Sequence, residues 1–401
     1  MPRVDDPWTD VAAAGRALRS RGVVGPGHRP DRAGTPPVRI VWFSFRGLFA
    51  DNPRALYEGV LARGVEAEHT WLCTPATAGS FPPGVRTVEY RTPAAATALA
   101  GADLVVANDC MSTPWEKNPG TTYLQTWHGT PLKRIHHDAP ARPGWLDEAD
   151  RDVARWDLLL SPNPPSTERL RRAFGFGGEV LETGYPRNDV LSSPDRDRVR
   201  AETRARLGIP DGTTAVLYAP TWRDDLVLDE PGGPGFELAL DAADVTRSGD
   251  RVLLVRLHSI VQGRLGALPD GVRDVTGEPD PAALYLAADV LVTDYSSAVF
   301  DFAVTGKPVL LFAYDLDHYR DDLRGFYEDP EDIAPGPLLR TSREVVDVLD
   351  RLEEVAAASA ARYRAFRETW CSLEDGHATD RVLDRILAPG DRRTGPTEER
   401  G

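Results

Sequence analysis

Three of the eight histidines of this 401-residue chain fall within ten residues, in the stretch TTYLQTWHGTPLKRIHHD (121–138). The run YLQTW reads as a buried strand, and Gly129 behind His128 lets the backbone turn sharply where the strand stops. A histidine at such an edge has a near-neutral pKa and can take a proton from a hydroxyl, the work of a general base. The same histidine could instead bond a loop and be structural. Lys133 and Arg134 offer positive charge to an anionic partner, or begin a solvated helix. His136 and His137 have no assigned role.

Three further clusters follow apolar runs. YAPTWRDD (218–225) ends a strand at Pro220 and delivers Arg223, whose rigid donor fork suits phosphate oxygens unless Asp224 or Asp225 claims it. VLLVRLHS (252–259) sets Arg256 and His258 two residues apart, on one face of a strand by its period of two. LVTDYSSAVFDF (291–302) ends a strand in Thr293 and Asp294, then leads through Ser296 and Ser297 into a helix bearing Asp301. Hydroxyls and unbonded N–H groups at a helix start can hold an anion such as pyrophosphate, and they can equally be a plain helix cap. Asp315 and Asp317 in DLD could hold Mg²⁺, though Asp-x-Asp is common by chance. No GxxxxGK[ST] and no GxGxxG occurs, so neither a P-loop nor a dinucleotide fingerprint is supported.

Placing these residues requires strands that stop on time. VRIVWFSF (38–45) is an apolar run of the kind buried on both faces of a sheet. NPRALYEGVLARG follows with helical spacing and Asn52 as a candidate N-cap. VEAEHTWLC, VRTVEY, DLVVAND, TTYLQTWHG, WDLLLSPN and GEVLETG continue a first α/β series. AVLYAPTW, RVLLVRLH, VRDVTG, DVLVTDYSS and PVLLFAYD form a second, closed by the helical pattern of residues 343–370. Strands alternating with helices predict parallel, doubly wound sheets, with ligands at the carboxyl ends of the strands. The expected division is a weakly ordered arm over 1–36 with one short helix near 8–20, and an N-terminal Rossmann-like domain over 37–190. A linker with one helix over 191–212, a C-terminal Rossmann-like domain over 213–387 and a disordered tail over 388–401 complete it.

Composition narrows the function. A net charge of −15 disfavours nucleic acid as the main partner, since phosphate backbones need a concentrated basic surface. Cys73, Cys110 and Cys371 are odd in number and far apart, which fits a reduced cytoplasm and neither a disulfide scaffold nor a zinc site. No apolar run is long enough to span a membrane, and the N-terminus lacks the apolar core of a secretion signal.

Taken together, SFRGLFADNPRALYE (44–58), YLQTWHGTPLKRI (123–135), YAPTWR (218–223), VRLH (255–258), TDYSSAVFDFAVTGKPVLLFAYDLDHY (293–319) and RGFYEDPEDIAPGPLL (324–339) resemble, in order, the blocks of the CDP-glycerol glycerophosphotransferase family, the teichoic acid primases and polymerases. The resemblance covers most of residues 38–375. It implies a GT-B-like fold of two doubly wound Rossmann-type domains facing a cleft. It implies transfer of glycerol phosphate, or a related polyol phosphate, from CDP-glycerol or CDP-ribitol to a hydroxyl of a lipid-linked or polymeric teichoic-acid-type acceptor, with CMP leaving. By the same resemblance His128 is the catalytic base. Arg223 and His258 handle phosphate, joined on the donor by Arg256, Asp294, Ser296 and Ser297, and Lys133 and Arg134 greet the acceptor. No cofactor is required and Mg²⁺ is optional. The expected place of action is the cytoplasm, with peripheral contact at the inner membrane face. Family polymerases dock there through a basic helical region, for which this chain shows no clear equivalent. Two rivals remain: a GT-B glycosyltransferase using a nucleotide sugar, and a non-catalytic scaffold of a wall-polymer assembly complex.

Overall fold

The computed structural model describes residues 37–140, 145–221, 223, 238–257 and 265–388. The expected N-terminal arm and its short helix, His258, and the tail from 389 lie outside the described residues. The chain divides into two compact units. One comprises the chain up to His128, Gly144–Leu159 and the chain from Leu383; the other comprises Gly129–Pro143 and Leu160–Val382.

Seven strands make the first sheet: β1 (Val38–Phe43), β2 (Ala67–Cys73), β3 (Thr87–Glu89), β4 (Leu104–Ala107), β5 (Thr122–Gln125), β6 (Leu158–Ser161) and β7 (Glu179–Glu182). Their order is β3-β2-β1-β4-β5-β6-β7. β1 lies parallel between β2 and β4, with Val41 opposite Thr70 and Val105. The apolar run VRIVWF explains that central place: Ile40, Val41, Trp42 and Phe43 are all buried. Trp42 stacks on Trp71 at 5.9 Å between ring centroids and donates its indole N–H to His69 Nδ1 at 3.1 Å. Packing of two fully buried indoles thus includes a partner for one of the polar atoms it removes from water. Helix α1 (Asp51–Ala62) follows β1 and buries Leu56 and Val60.

The second sheet runs β10-β9-β8-β11-β12-β13, with β8 (Thr214–Tyr218), β9 (Arg251–Val255), β10 (Val272–Asp274), β11 (Val290–Thr293), β12 (Val309–Phe312) and β13 (Leu338–Leu339). Every pairing within it is parallel. Its strands feed two cores by simple alternation. Ala215, Leu217, Leu254, Leu291 and Leu311 face one, with Phe302, Phe366 and Trp370. Val216, Tyr218, Leu253, Val292 and Phe312 face the other, with Val345 and Leu349. A strand buried on both faces needs no polar alternation, which is why these runs look continuously apolar.

Numbered from β1 and from β8, both sheets follow the order 3-2-1-4-5-6 of the doubly wound nucleotide-binding fold. Each therefore reverses direction once, between β1 and β4 and between β8 and β11. At such a switch point the loops part and leave a crevice at the carboxyl ends of the strands.

Local signals set the elements beyond the sheets. Helix α2 (Pro164–Phe174) starts with Asn163 accepting from Ser166 N–H and Pro164 in its first turn, and ends at left-handed Gly175. The expected linker is helical over α3 (Arg196–Arg206), bound to the second unit by Arg200 and Arg204 on Asp289 at 2.6 and 3.1 Å. The C-terminal helical pattern is broken at Asp350–Arg351 into α4 (Ser342–Leu349) and α5 (Leu352–Trp370). No helix among the described residues is long and apolar enough to cross a membrane.

Candidate active site

His128 stands three residues beyond β5, half-buried, after Trp127 in a left-handed backbone (φ 51°). Its Nδ1 lies 2.5 Å from the main-chain oxygen of Asn108. A carbonyl only accepts, so Nδ1 carries the proton and the lone pair of the neutral ring resides on Nε2. The ring is flanked by Trp127 at 4.1 Å and Phe45 at 5.2 Å. Asn52 holds the preceding carbonyl, donating from Nδ2 to Trp127 O at 3.1 Å. The expected N-cap role of Asn52 is thereby corrected. Helix α1 starts two residues earlier, after Ala50, without a side-chain cap, and the buried Asn52 amide is committed to the loop that bears His128.

Asn108, just past β4, links that loop to the switch point. Its Oδ1 accepts from Phe45 N–H at 3.0 Å while its main-chain oxygen takes His128 Nδ1. Phe45, Arg46 and Gly47 all have positive φ, of 40°, 59° and 103°. Ser44 O closes this left-handed turn by accepting from Gly47 and Leu48 N–H at 2.8 and 2.7 Å. Gly47 is required for space as well as conformation, since a Cβ there would lie 2.8 Å from the backbone of Cys73 and Thr74.

In the second unit Arg223 is buried and fully engaged. Nε and Nη2 grip Asp315 at 2.7 and 2.8 Å, and Nη1 donates to Asp294 at 2.8 Å and to Thr221 O at 2.7 Å. Tyr295, Tyr314 and Tyr319 pack their rings within 5.3 Å of the guanidinium. Burial works against the charge, but Asp294 and Asp315 outweigh it and hold the guanidinium well above its ordinary pKa. The open phosphate fork expected of Arg223 is thus a closed strut joining the ends of β8, β11 and β12. Asp294 also accepts from Thr221 and Tyr295 N–H, so it fixes the turns on both sides of the switch point. Asp315, expected as half of a cation pair with Asp317, has its oxygens occupied by Arg223 and by the Tyr295 hydroxyl at 3.0 Å.

The remaining expected residues divide. Ser296 and Ser297 precede a helix of only six residues (Ala298–Ala303) between β11 and β12, and Ser296 Oγ accepts from Ala298 N–H at 3.3 Å. Gly129 lies against Ser297, where any Cβ would come within 2.7 Å of Oγ. Asp301 is a core group, paired with Arg187 and Asn188 at 2.8 and 2.9 Å. Arg256 lies past the end of β9, and its guanidinium donates to Glu278 O at 2.6 Å. Burial lowers its pKa. The shared strand face expected for Arg256 and His258 is not formed at Arg256, because β9 stops at Val255.

Within the second unit, Lys133 bridges Phe326 and Arg134 N–H donates to Gly325 O at 3.2 Å. Arg134, Arg320, Arg324 and Tyr327 line a cavity of about 570 Å³ together with Asp138 and Glu328. His136 is buried, with Nδ1 at 2.9 Å from Ala173 O and its ring against His137 and Phe174. Packing against Ala173 and Phe174 accounts for His136.

Sequence reasoning passed over Asn108 and Arg46, took Asn52 for a helix cap, and weighed Asp315 only as one of a chance-level Asp-x-Asp pair. A polar residue directly after an apolar strand was the available signal for Asn108 and Asp315, as it was for Asp294.

Two parallel sheets with the 3-2-1-4-5-6 order, and a histidine of fixed tautomer beyond a strand end, define a GT-B-like α/β transferase scaffold. The model of the CDP-glycerol:poly(glycerophosphate) glycerophosphotransferase family matches residues 33–388, and the chain belongs to that family. It is 38% identical over 368 residues to the teichoic acid glycerol-phosphate transferase of Staphylococcus aureus, covering 88% of this chain and 94% of that protein. The teichoic acid poly(glycerol phosphate) polymerase of Bacillus subtilis is 34% identical over 361 residues, and this chain spans 48% of its length. The solved wall teichoic acid polymerase TagF superposes with a TM-score of 0.80 at 34% identity, over 88% of this chain and 89% of that one. A putative UDP-N-acetylglucosamine 2-epimerase from Listeria monocytogenes shares the fold alone, at 15% identity and a TM-score of 0.51.

Proposed function

We propose that the protein moves glycerol phosphate from CDP-glycerol to a hydroxyl of a teichoic-acid-type acceptor, releasing CMP. The observation that carries the mechanism is the 2.5 Å contact between His128 Nδ1 and Asn108 O, which leaves Nε2 as the basic nitrogen. Nε2 takes the acceptor hydroxyl proton as the oxygen attacks the β-phosphorus of the donor. The bond from that phosphorus to the bridging oxygen breaks, and its electrons leave on CMP. A positioned base of this kind contributes roughly 10²–10⁴-fold.

On the donor side, Asp294, Ser296, Ser297, Arg256 and His258 are assigned to the CDP group. Arg223 serves them as a positioning residue, since its donors are taken by Asp294 and Asp315. Lys133 and Arg134 are assigned to the acceptor, with Arg134 supported by its place on the 570 Å³ cavity. No step runs through Mg²⁺, because Arg223 already neutralises Asp315 of the Asp315/Asp317 pair.

Glycerol is favoured over ribitol by similarity. The glycerol-phosphate relatives are 38% and 34% identical, against 27% for a ribitol-phosphate polymerase of Bacillus spizizenii. A TagF variant has also been soaked with CDPG. Action at the cytoplasmic face of a membrane, by peripheral contact, follows from a lipid-linked acceptor.

CMP release is the test, with CDP-glycerol and CDP-ribitol offered separately alongside a lipid-linked acceptor. Acceptor-dependent CMP from CDP-glycerol, lost in His128→Ala, is the expected result. If neither donor binds or turns over, a nucleotide-sugar transferase or a scaffold takes its place.

A further inference from the structure

The turn after β1 carries a charge that the mechanism above does not use. Arg46 is exposed, and among the described residues it makes no hydrogen bond or ion pair. It lies at the switch point of the first sheet, where doubly wound folds bind ligands. We infer that Arg46 holds a phosphodiester of an anionic acceptor and so sets the acceptor's terminal hydroxyl at His128. This rests on the transferase reading of the site.

The geometry ties the turn to the base. Asn108 bonds Phe45 N–H through its side chain and His128 Nδ1 through its main chain, and the Phe45 ring lies 5.2 Å from the imidazole. Arg46 is therefore presented by the residue next to the one that contacts the base. The backbone there has positive φ in three consecutive residues, and for two of them, Phe45 and Arg46, that conformation is unfavourable. Strained backbone of this kind persists where the surroundings over-determine it, and it clusters at ligand sites. Two buried polar atoms at the same switch point, Ser44 Oγ and Asn108 Nδ2, have no hydrogen-bond partner in the protein.

The ligand class follows from the chemistry of the base. The acceptor hydroxyl must come to His128, so a group beside His128 meets the acceptor close to its reacting end. On a glycerol-phosphate acceptor the nearest charge to that hydroxyl is the phosphodiester of the last unit. Arginine suits it, because a planar fork can bond two phosphate oxygens at once. The transferred phosphoryl group of the donor is the competing anion, and the test separates the two.

Wild type, Arg46→Asn and Arg46→Lys would be titrated calorimetrically with a short glycerol-phosphate oligomer and, separately, with CDP-glycerol. Asparagine tolerates the left-handed backbone and removes the charge, so the turn is kept. Oligomer binding should weaken roughly tenfold or more in Arg46→Asn, the usual scale for a lost charged hydrogen bond, with Arg46→Lys between. CDP-glycerol affinity should not change. In turnover, the acceptor KM should rise while kcat holds. Equal oligomer affinity in wild type and Arg46→Asn would overturn the assignment. So would failure of wild type to bind the oligomer, or an equal loss of CDP-glycerol affinity. The titration reads Arg46 without turnover, so an inactive wild type would count against the proposed function alone.

Discussion

At the switch point of the first sheet the organising group is a neutral amide, whereas at the second it is an arginine between two carboxylates. Asn108 holds Phe45 with its side chain and His128 with its main chain, and it sets a tautomer without adding charge. Arg223 closes on Asp294 and Asp315 and is ringed by three tyrosines. The strand order is the same, so the fold does not dictate the difference. The first arrangement fixes which ring nitrogen carries the proton. The second uses its charges on one another and fixes three strand ends. Two residues with equally promising sequence neighbourhoods, His128 and Arg223, thus differ in kind: one has a ring nitrogen left unprotonated, the other has its donors taken by carboxylates.

That contrast can be broken most sharply at His128. His128→Ala should lower CMP release roughly 10²–10⁴-fold while the thermal midpoint stays near that of wild type. A large loss of stability with a small loss of rate would reverse the assignment. Arg223→Leu should do the opposite first. It leaves buried Asp294 and half-buried Asp315 without their cation, and removing one partner of a buried pair costs about 3–5 kcal/mol. Denaturant unfolding would read this, and Asp315→Asn should show the same direction more weakly. An unshifted midpoint with lost CDP-glycerol binding would restore Arg223 as a phosphate ligand.

Asn108→Leu sharpens the first half of the comparison. It keeps the main-chain acceptor for His128 but leaves Phe45 N–H without its partner, a loss of about 1–3 kcal/mol. The expected signature is a fall in kcat that exceeds any change in donor affinity. The smallest effect belongs to a buried carboxyl remote from both switch points. Burial, reinforced by Asp301, raises Glu374 from 4.5 to about 8. The folded protein therefore binds this proton more tightly than the unfolded chain. Its contribution is full below about pH 4.5 and is lost as the pH rises through about 8. Glu374→Gln, always neutral, should flatten that part of the stability–pH curve and leave the variant more stable than wild type at alkaline pH. Parallel curves for the two proteins would refute this.

Much of the architecture was legible from the residues. Continuous apolar runs such as VRIVWF and AVLY mark strands buried on both faces, and their alternation with helical spacing is enough for parallel, doubly wound sheets. His128 was legible because an apolar run precedes it and Gly129 follows it, although the strand itself stops earlier, at Gln125. Asn52 was misread because a cap and a buried tertiary donor look alike in sequence, and only the position of Trp127 O separates them. The break at Asp350–Arg351 was invisible for a similar reason: apolar spacing continues across it while the chain changes direction.

Sequence alone determined the fold class, the family and which residues stand at strand ends, because those depend on local periodicity and on motifs in order. Partnership was decided only in three dimensions. Asp315 follows Arg223 by 92 residues and Asn108 precedes His128 by 20. No local pattern reveals whether an arginine meets a phosphate or a pair of carboxylates, or which imidazole nitrogen keeps its proton. Those outcomes depend on which loops the sheet order brings side by side, and on how completely burial obliges each polar atom to find a partner.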